Sequence, residues 1–340
     1  MARILILGSG GFGVSLAVML HKYNHDVCMW SKFPQEIADI RRYGENRKLL
    51  PGVPIDLSIE LTDNMADGAD AELAILAVPS FAVRETAKAL GGIIRPNTIV
   101  ANVAKGFEES THLRLSQVIA QEIPHNPIVI LSGPSHAEEI ARNVPTTIVA
   151  ASAHRESAEY VQDVLMNTNL RVYVNDDLTG VELGGALKNI IALCAGICDG
   201  MELGDNAKAA LMTRGLAEIA RLGLAMGAEP ETFTGLTGMG DLIVTCTSMH
   251  SRNRRCGIFI GQGIPAKEAV KRVGMTVEGC SAARTAKALS REYHVEMPIT
   301  DQLCCILDGE KTAWQAVSNL MGRPRRHENE EIWMRECAKK

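Results

Sequence analysis

The chain opens with Met1-Ala-Arg-Ile-Leu-Ile-Leu-Gly8-Ser-Gly10-Gly-Phe-Gly13, and no other stretch limits its fold so strongly. An unbroken apolar run, Ile4 to Leu7, breaks directly into Gly-x-Gly-x-x-Gly, and an apolar helical pattern follows from Val14 to Leu20. A strand that is apolar at every position is buried on both faces, as in a parallel sheet covered by helices. In this order of elements Gly8 permits the tight turn, Gly10 lets the backbone approach a pyrophosphate, and Gly13 lets the helix pack closely on the strand. The helix N-terminus then points its free N–H groups at the anion. Glycine triplets also occur in ordinary turns. Set between a strand and a helix, this one predicts a dinucleotide site.

The pattern repeats downstream. His25–Trp30 reads as a second strand, and in the usual unit an acid at its end binds the ribose 2′-hydroxyl of NAD. Here the strand ends in Trp30-Ser31-Lys32 with no acid. A hydroxyl and a cation suit a 2′-phosphate, so the sequence favours NADP(H) with NAD(H) also accepted; the alternative makes Lys32 a solvated loop lysine. Residues 33–70 are polar and turn-rich, with a helical stretch around Asn64–Ala69. Further strands are expected at Ala71–Pro79, Thr98–Val103 and Pro127–Leu131, with a helix over Ala82–Leu90. Two β-branched runs, Thr146–Val149 and Arg171–Val174, could extend the sheet. Strands alternating with helical patterns indicate a doubly wound sheet. Ligands bind such sheets beyond the carboxyl ends of the strands, where Lys105 and the loop Ser132-Gly133-Pro134-Ser135 lie. From Asn175 the strand signal ends, and Gly180 to Met226 is dominated by Ala, Leu, Ile and Gly at helical spacing. The expected fold is α/β: an N-terminal Rossmann-type domain over residues 1–178 with a mainly parallel sheet, then an all-α substrate domain over 179–340. The charged stretch 322–340 is expected to be a solvated tail or a terminal helix.

A chain of 340 residues is long enough for two cores, and 46% hydrophobic with 22% charged residues is ordinary for a folded protein. A net charge of −5 leaves no global basic field for nucleic acid, so an anionic substrate needs a local basic cluster. The nine cysteines include Cys28, Cys194, Cys198 and Cys337. They show no paired metal spacing, and several sit in apolar runs, as free thiols do in a reducing compartment. No metal site is expected. The N-terminal apolar run is too short for a secretory signal, and other apolar runs fall short of the ~20 residues a spanning helix needs. A cytoplasmic protein without membrane insertion is expected.

One charged residue interrupts the most apolar helical stretch: Lys188, in Val181-Glu-Leu-Gly-Gly-Ala-Leu-Lys-Asn-Ile-Ile-Ala-Leu-Cys. A buried lysine is costly unless paired, and burial tunes its pKa toward acid–base use; the alternative is a solvated stripe. Gly235-Leu-Thr-Gly-Met-Gly-Asp241 places a carboxylate on a tight loop. Asp241 either partners Lys188 or caps the following helix, which its residue type fits equally well. Ser251-Arg252-Asn253-Arg254-Arg255 is a dense positive cluster. Arginine forks bind phosphate bidentately, and a helix starting near Ser251 would add backbone donors. Glu278 carries no chemistry derivable from its own context.

Together Gly-Ser-Gly-Gly-Phe-Gly, Ala104-Lys-Gly-Phe, Ser132-Gly-Pro-Ser, Leu183-Gly-Gly-Ala-Leu-Lys-Asn, Gly238–Thr247, Ser251-Arg-Asn-Arg-Arg, Val277-Glu-Gly and Glu296-Met-Pro-Ile-Thr300 resemble the bacterial-type NAD(P)-dependent sn-glycerol-3-phosphate dehydrogenases over nearly the whole chain. The resemblance implies reversible hydride transfer between the nicotinamide and C2 of dihydroxyacetone phosphate or glycerol 3-phosphate, supplying phospholipid synthesis. It makes Lys188 the catalytic proton acceptor and donor. It implies substrate contacts at Lys105, Gly133, Ser135, Asp241, Ser251, Arg252 and Asn253. Cofactor contacts are implied at Gly8, Gly10, Gly11, Phe12, Gly13, Lys32, Lys105, Ala137, Arg252, Thr276 and Glu278. A homodimer is also implied. The rival readings are a 2-hydroxy-acid or ketopantoate-type reductase with the same layout, and a non-catalytic NADP(H)-binding sensor.

Overall fold

The computed structural model describes residues 1–167 and 169–325, so Cys337 and most of the charged C-terminal stretch lie outside the described residues. The chain forms two compact units. Among the described residues, the first comprises those within 1–108 and 113–178, and the second comprises 109–112 with those from Thr179 onward.

The first unit is one eight-stranded sheet. Its strands are β1 (Arg3–Leu7), β2 (Asp26–Trp30), β3 (Glu60–Thr62), β4 (Leu73–Leu76), β5 (Ile99–Asn102), β6 (Ile128–Ser132), β7 (Thr146–Ala151) and β8 (Leu170–Asn175). Their spatial order is β3-β2-β1-β4-β5-β6-β7-β8. Every neighbouring pair is parallel except β6 with β7. Helices α1 (Gly11–Lys22), α2 (Pro34–Tyr43), α3 (Val83–Gly91), α4 (Leu115–Glu122), α5 (Ala137–Ala141) and α6 (Arg155–Leu165) lie between the strands in sequence. The opening strand shows why its sequence is apolar throughout. Ile4 and Ile6 enter one core with Val14 and Leu20, while Leu5 and Leu7 enter another with Leu76 and Val100. Both faces are covered, so the alternation of a half-buried strand has no place there.

In register, Leu7 stands opposite Trp30 on one side and Leu76 on the other. The carboxyl ends of β1, β2 and β4 therefore align, and backbone bonds carry the order just past them: Gly8 N donates to Trp30 O (2.8 Å) and Ala77 N to Leu7 O (2.9 Å). Two elements stand where only turns were expected, α2 and β3. Helix α2 buries just Ile37 and Ile40, and β3 is a three-residue edge strand. The helix over Asn64–Ala69 is a single 3₁₀ turn, Met65–Gly68.

The second unit is helical: α7 (Leu178–Gly200), α8 (Asp205–Ala225), α9 (Pro230–Thr234), α10 (Asp241–Thr247), α11 (Arg252–Gly261), α12 (Ala266–Val273), α13 (Glu278–Glu292), α14 (Pro298–Leu307) and α15 (Ala313–Met321). Contrary to the expectation that no apolar run reaches spanning length, α7 is long and apolar enough to cross a membrane. However, 89% of its most apolar stretch is buried inside the protein, as befits a core helix. Small residues let α11 lie against it, since a Cβ on Gly196 would collide with Arg254 O and one on Gly257 with Leu193 O. All eight described cysteines are free thiols.

A buried acid joins α8 to α14. Glu218, 1% exposed, accepts from Ile299 N (2.6 Å), Thr300 N (3.3 Å) and Thr300 Oγ1 (3.2 Å). It satisfies N–H groups that the start of a helix leaves without partners. Burial pushes its carboxyl up to about 7, against the pull of those donors and of Arg221. A folded pKa above the unfolded value means this group's stabilising contribution is full below about pH 4.5 and is lost as pH rises through about 7. Glu218→Gln should therefore gain on the wild type in unfolding free energy across that window, by up to ~3 kcal/mol, read as a rise in its relative thermal midpoint. A midpoint difference that stays constant with pH refutes this.

Candidate active site

In the first unit the glycine loop has the shape a pyrophosphate needs. Gly8 has φ +127°, and a Cβ there would stand 2.6 Å from Ala77 O; one on Gly13 would collide with Gly8 O. A Cβ on Gly10 would meet nothing within 4 Å, so the space above that residue is open. Gly10 is the N-cap of α1 without a side-chain cap, and the first turn carries no acid. Nothing in the helix itself competes with an anion at its N-terminus. Gly11 and Ala137 lie side by side, with a Gly11 Cβ position 3.8 Å from Ala137 Cβ, and Phe12 packs against the core. A dinucleotide fits this loop.

Beyond β5 and β6 three sequence-selected residues converge. Lys105 Nζ donates to Gly133 O at 2.9 Å, and Ser135 Oγ donates to the same oxygen at 2.9 Å. Gly133 has φ +107°, a conformation that glycine adopts without strain. Lys32 stands apart, exposed and paired with Glu85 at 2.7 Å.

In the second unit Lys188 leaves the middle of α7 with 7% of its side chain exposed. Its ammonium donates to Asp241 Oδ1 and, at 2.6 Å, to Thr245 Oγ1. Asp241, 1% exposed, follows a π-type turn over Leu236–Gly240 closed by Gly240 N donating to Gly235 O. That turn lies tight on α7, because a Cβ on Gly184 would come 2.7 Å from Thr237 O. Wide turns of this kind often mark functional sites. Asp241 is thus both the first residue of α10 and the counter-ion of Lys188. The pairing replaces water that burial removes from both charges. The sequence missed Thr245, a hydroxyl one helical turn beyond Asp241 that also donates to Asp241 O (2.6 Å).

The neighbouring Asn189 ties Lys188 to the remaining candidates. It accepts from Asn253 Nδ2 (2.9 Å) and donates to Glu278 Oε2 (3.5 Å), while Asn253 Oδ1 accepts from Gly279 N (2.8 Å). Ser251 caps α11 by accepting from Arg254 N. Thr276 lies exposed just before α13.

The three arginines, alike in sequence, separate in the structure. Arg254 is engaged by Asp199 (2.7 Å), Thr247 O and Met249 Sδ. Arg255 has a buried Nε without a partner. Arg252 makes no hydrogen bond or ion pair among the described residues. The expectation of one three-arginine phosphate cluster narrows accordingly, because Arg254 is committed to Asp199.

Comparisons with known proteins agree with this geometry. The model of the NAD-dependent glycerol-3-phosphate dehydrogenase N-terminus matches residues 3–174, and that of its C-terminus matches residues 177–318. Proteins named glycerol-3-phosphate dehydrogenase [NAD(P)+] from Desulfitobacterium hafniense and Clostridium perfringens are each 52% identical to the chain. They cover 98% and 96% of it, over 94% and 99% of their own lengths. A crystal structure of glycerol-3-phosphate dehydrogenase from Coxiella burnetii superimposes with a TM-score of 0.90 at 37% identity, covering 95% of this chain and 99% of that one. An unbroken strand–glycine–helix unit, a lysine–aspartate pair buried in a helical unit and these full-length matches place the chain in the NAD-dependent glycerol-3-phosphate dehydrogenase family.

Proposed function

We propose that the chain carries out reversible hydride transfer between NAD(P)H and dihydroxyacetone phosphate, giving sn-glycerol 3-phosphate for glycerophospholipid synthesis, with Lys188 handling the proton. The observation that carries the residue assignment is the ammonium of Lys188, buried in an apolar helix and held by Asp241 and Thr245. The nicotinamide cofactor, when bound, supplies or takes up the hydride. Lys188 gives its proton to the C2 oxygen on reduction and receives it on oxidation, and its positive charge stabilises alkoxide-like charge at that oxygen. Asp241 and Thr245 hold the ammonium in one orientation, so little reorganisation accompanies the transfer.

Arg252 takes the substrate phosphate: its fork has no partner among the described residues, and the family likeness gives the substrate contact to Arg252 and not to Arg255. Binding at that remote group supplies energy for orienting C2. Lys105, Gly133, Ser135, Ser251 and Asn253 keep the substrate-contact roles implied by the family likeness. Gly8, Gly10, Gly11, Phe12, Gly13, Lys32, Ala137, Thr276 and Glu278 keep the cofactor-contact roles, which Lys105 and Arg252 share. Residues 1–178 then serve the dinucleotide and 179–340 the substrate. A cytoplasmic homodimer without membrane insertion completes the proposal.

Stopped-flow oxidation of NADH and NADPH with dihydroxyacetone phosphate tests the reaction, and turnover confined to ketoacids would sink it. Lys188→Ala should lower kcat by about a hundredfold or more while nucleotide affinity stays close to that of the wild type. An unchanged kcat rejects the role of Lys188, whereas a wild type that binds nucleotide without turning over dihydroxyacetone phosphate or ketoacids favours the sensor reading. Arg252→Ala should raise KM for dihydroxyacetone phosphate by about ten- to a hundredfold, as losing a charged hydrogen bond does. Arg254→Ala should instead lower the thermal midpoint by removing the bonds to Asp199, Thr247 O and Met249 Sδ, with Asp199 left to Lys208. Steady-state kinetics and melting curves on the two variants separate the outcomes, and equal KM effects would contradict the distinction.

A further inference from the structure

The end of β2 lacks an acid in sequence, yet an acid stands there in the fold. Glu36, in the first turn of α2, accepts from Ser9 Oγ at 2.5 Å and from Ser31 Oγ at 2.7 Å, both on Oε2. Ser9 lies between the first two glycines of the loop, and Ser31 is the residue directly after β2. Both serines are 2% exposed, and Asn46 Nδ2 holds Ser9 O at 2.7 Å. The carboxylate is therefore fixed where the glycine loop meets the end of the second strand. In doubly wound dinucleotide sites that is the position of the group that meets the adenosine ribose. Among the described residues nothing donates to Glu36 Oε1, and the residue is half-buried. One oxygen is held by the protein, and the other is left to accept.

The cation expected to recognise a 2′-phosphate is occupied. Lys32 Nζ pairs with Glu85 Oε1 at 2.7 Å, with 57% of the lysine side chain and 72% of the glutamate side chain exposed. Exposed pairs of this kind are weak, so Lys32 can leave Glu85 for a stronger anion. A 2′-hydroxyl donates to Glu36 at no cost in charge. A 2′-phosphate in the same place meets a fixed carboxylate, and Lys32 must first leave Glu85 to answer it.

We propose that Glu36 is a specificity-determining residue of the cofactor site, accepting the ribose 2′-hydroxyl of NADH and opposing the 2′-phosphate of NADPH, with the Lys32–Glu85 pair as its counterweight. This rests on the dinucleotide reading of the glycine loop. Ser31 and Lys32 read alone favour the phosphorylated cofactor; Glu36 shifts the balance back toward NADH.

Direct titration of NADH and NADPH binding by fluorescence, without substrate, tests the proposal on the full chain. Glu36→Gln should weaken NADH binding and strengthen NADPH binding, moving the ratio of the two Kd values at least about tenfold toward NADPH. Glu85→Gln, an exposed change that leaves the loop intact, should tighten NADPH by about threefold and leave NADH unaffected. A Kd ratio in Glu36→Gln within about twofold of the wild type overturns the proposal, as does an equal weakening of both nucleotides, which would make Glu36 a loop tether only. If Glu36→Gln does not fold, the Glu85→Gln titration decides alone, and an unmoved NADPH Kd is fatal. Failure of the wild type to bind either nucleotide would instead remove the dinucleotide reading beneath it.

Discussion

A lysine ammonium with 7% of its side chain exposed cannot stay charged inside a helix of Ala, Leu, Ile and Gly without a fixed counter-charge, and that requirement governs the second unit. Removing both charges from water costs several kcal/mol per ion, recovered only through close, well-oriented pairing. The pairing exists because three segments lie against one another with little tolerance. The π-type turn before Asp241 approaches α7 at Gly184, where a Cβ would stand 2.7 Å from Thr237 O. On another stretch of the helix, α11 closes on Gly196. Thr245 supplies the second acceptor for the ammonium from one turn along α10. Larger residues at those glycines would separate the elements that bring carboxylate and ammonium together. Tight packing there is a condition of the electrostatics.

The sheet was largely readable because burial on both faces writes itself into the sequence as uninterrupted apolar runs. β1, β4, β5 and β6 all carry that mark, and each strand begins or ends within a few residues of its apolar run. The elements that escaped notice are those with little to bury. Helix α2 commits only Ile37 and Ile40 to the core and is otherwise mostly exposed and polar, so its periodicity drowns in polar sequence. Edge strand β3 has three residues and one neighbour. The antiparallel turn of β7 leaves no trace in composition, since Thr146–Ala151 would look the same running either way.

Within the site, legibility followed charge. Lys188 stands out because an ion in an apolar context is expensive, and Asn189 breaks the same apolar run beside it, whereas the hydroxyl of Thr245 in a short mixed stretch carries no such mark. Asp241 allowed two readings, and the fold keeps one: its carboxylate meets Lys188, while Gly240 holds the cap position of α10 and no side chain caps that helix. The three arginines could not be told apart at all. Their difference lies in what each meets: Asp199 holds Arg254, while Arg252 and Arg255 have no ion pair among the described residues, and the Nε of Arg255 is buried. Glu36 was overlooked for a related reason. The rule for ribose recognition looks to the end of the strand, and here the acid returns to that point from the following helix.

One physical theme joins these acids. Glu36, Asp241 and Glu278 each lie in the first turn of a helix: α2, α10 and α13. The partial positive charge of a helix N-terminus stabilises an anion there before any ligand or partner arrives. A carboxylate so placed can be fixed through one oxygen and still offer negative charge to a neighbour, as Glu36 does beside two serines and Asp241 does beside an ammonium. Lys188 enjoys no such support, because the middle of a helix offers a cation no favourable end of the dipole. The asymmetry bears on the arrangement of the second unit: the acid draws part of its support from its helix start and the rest from the ammonium, while the base draws its counter-charge from the acid. The same asymmetry explains why acids at helix starts are hard to interpret from sequence, since capping and function ask for the same residue at the same position.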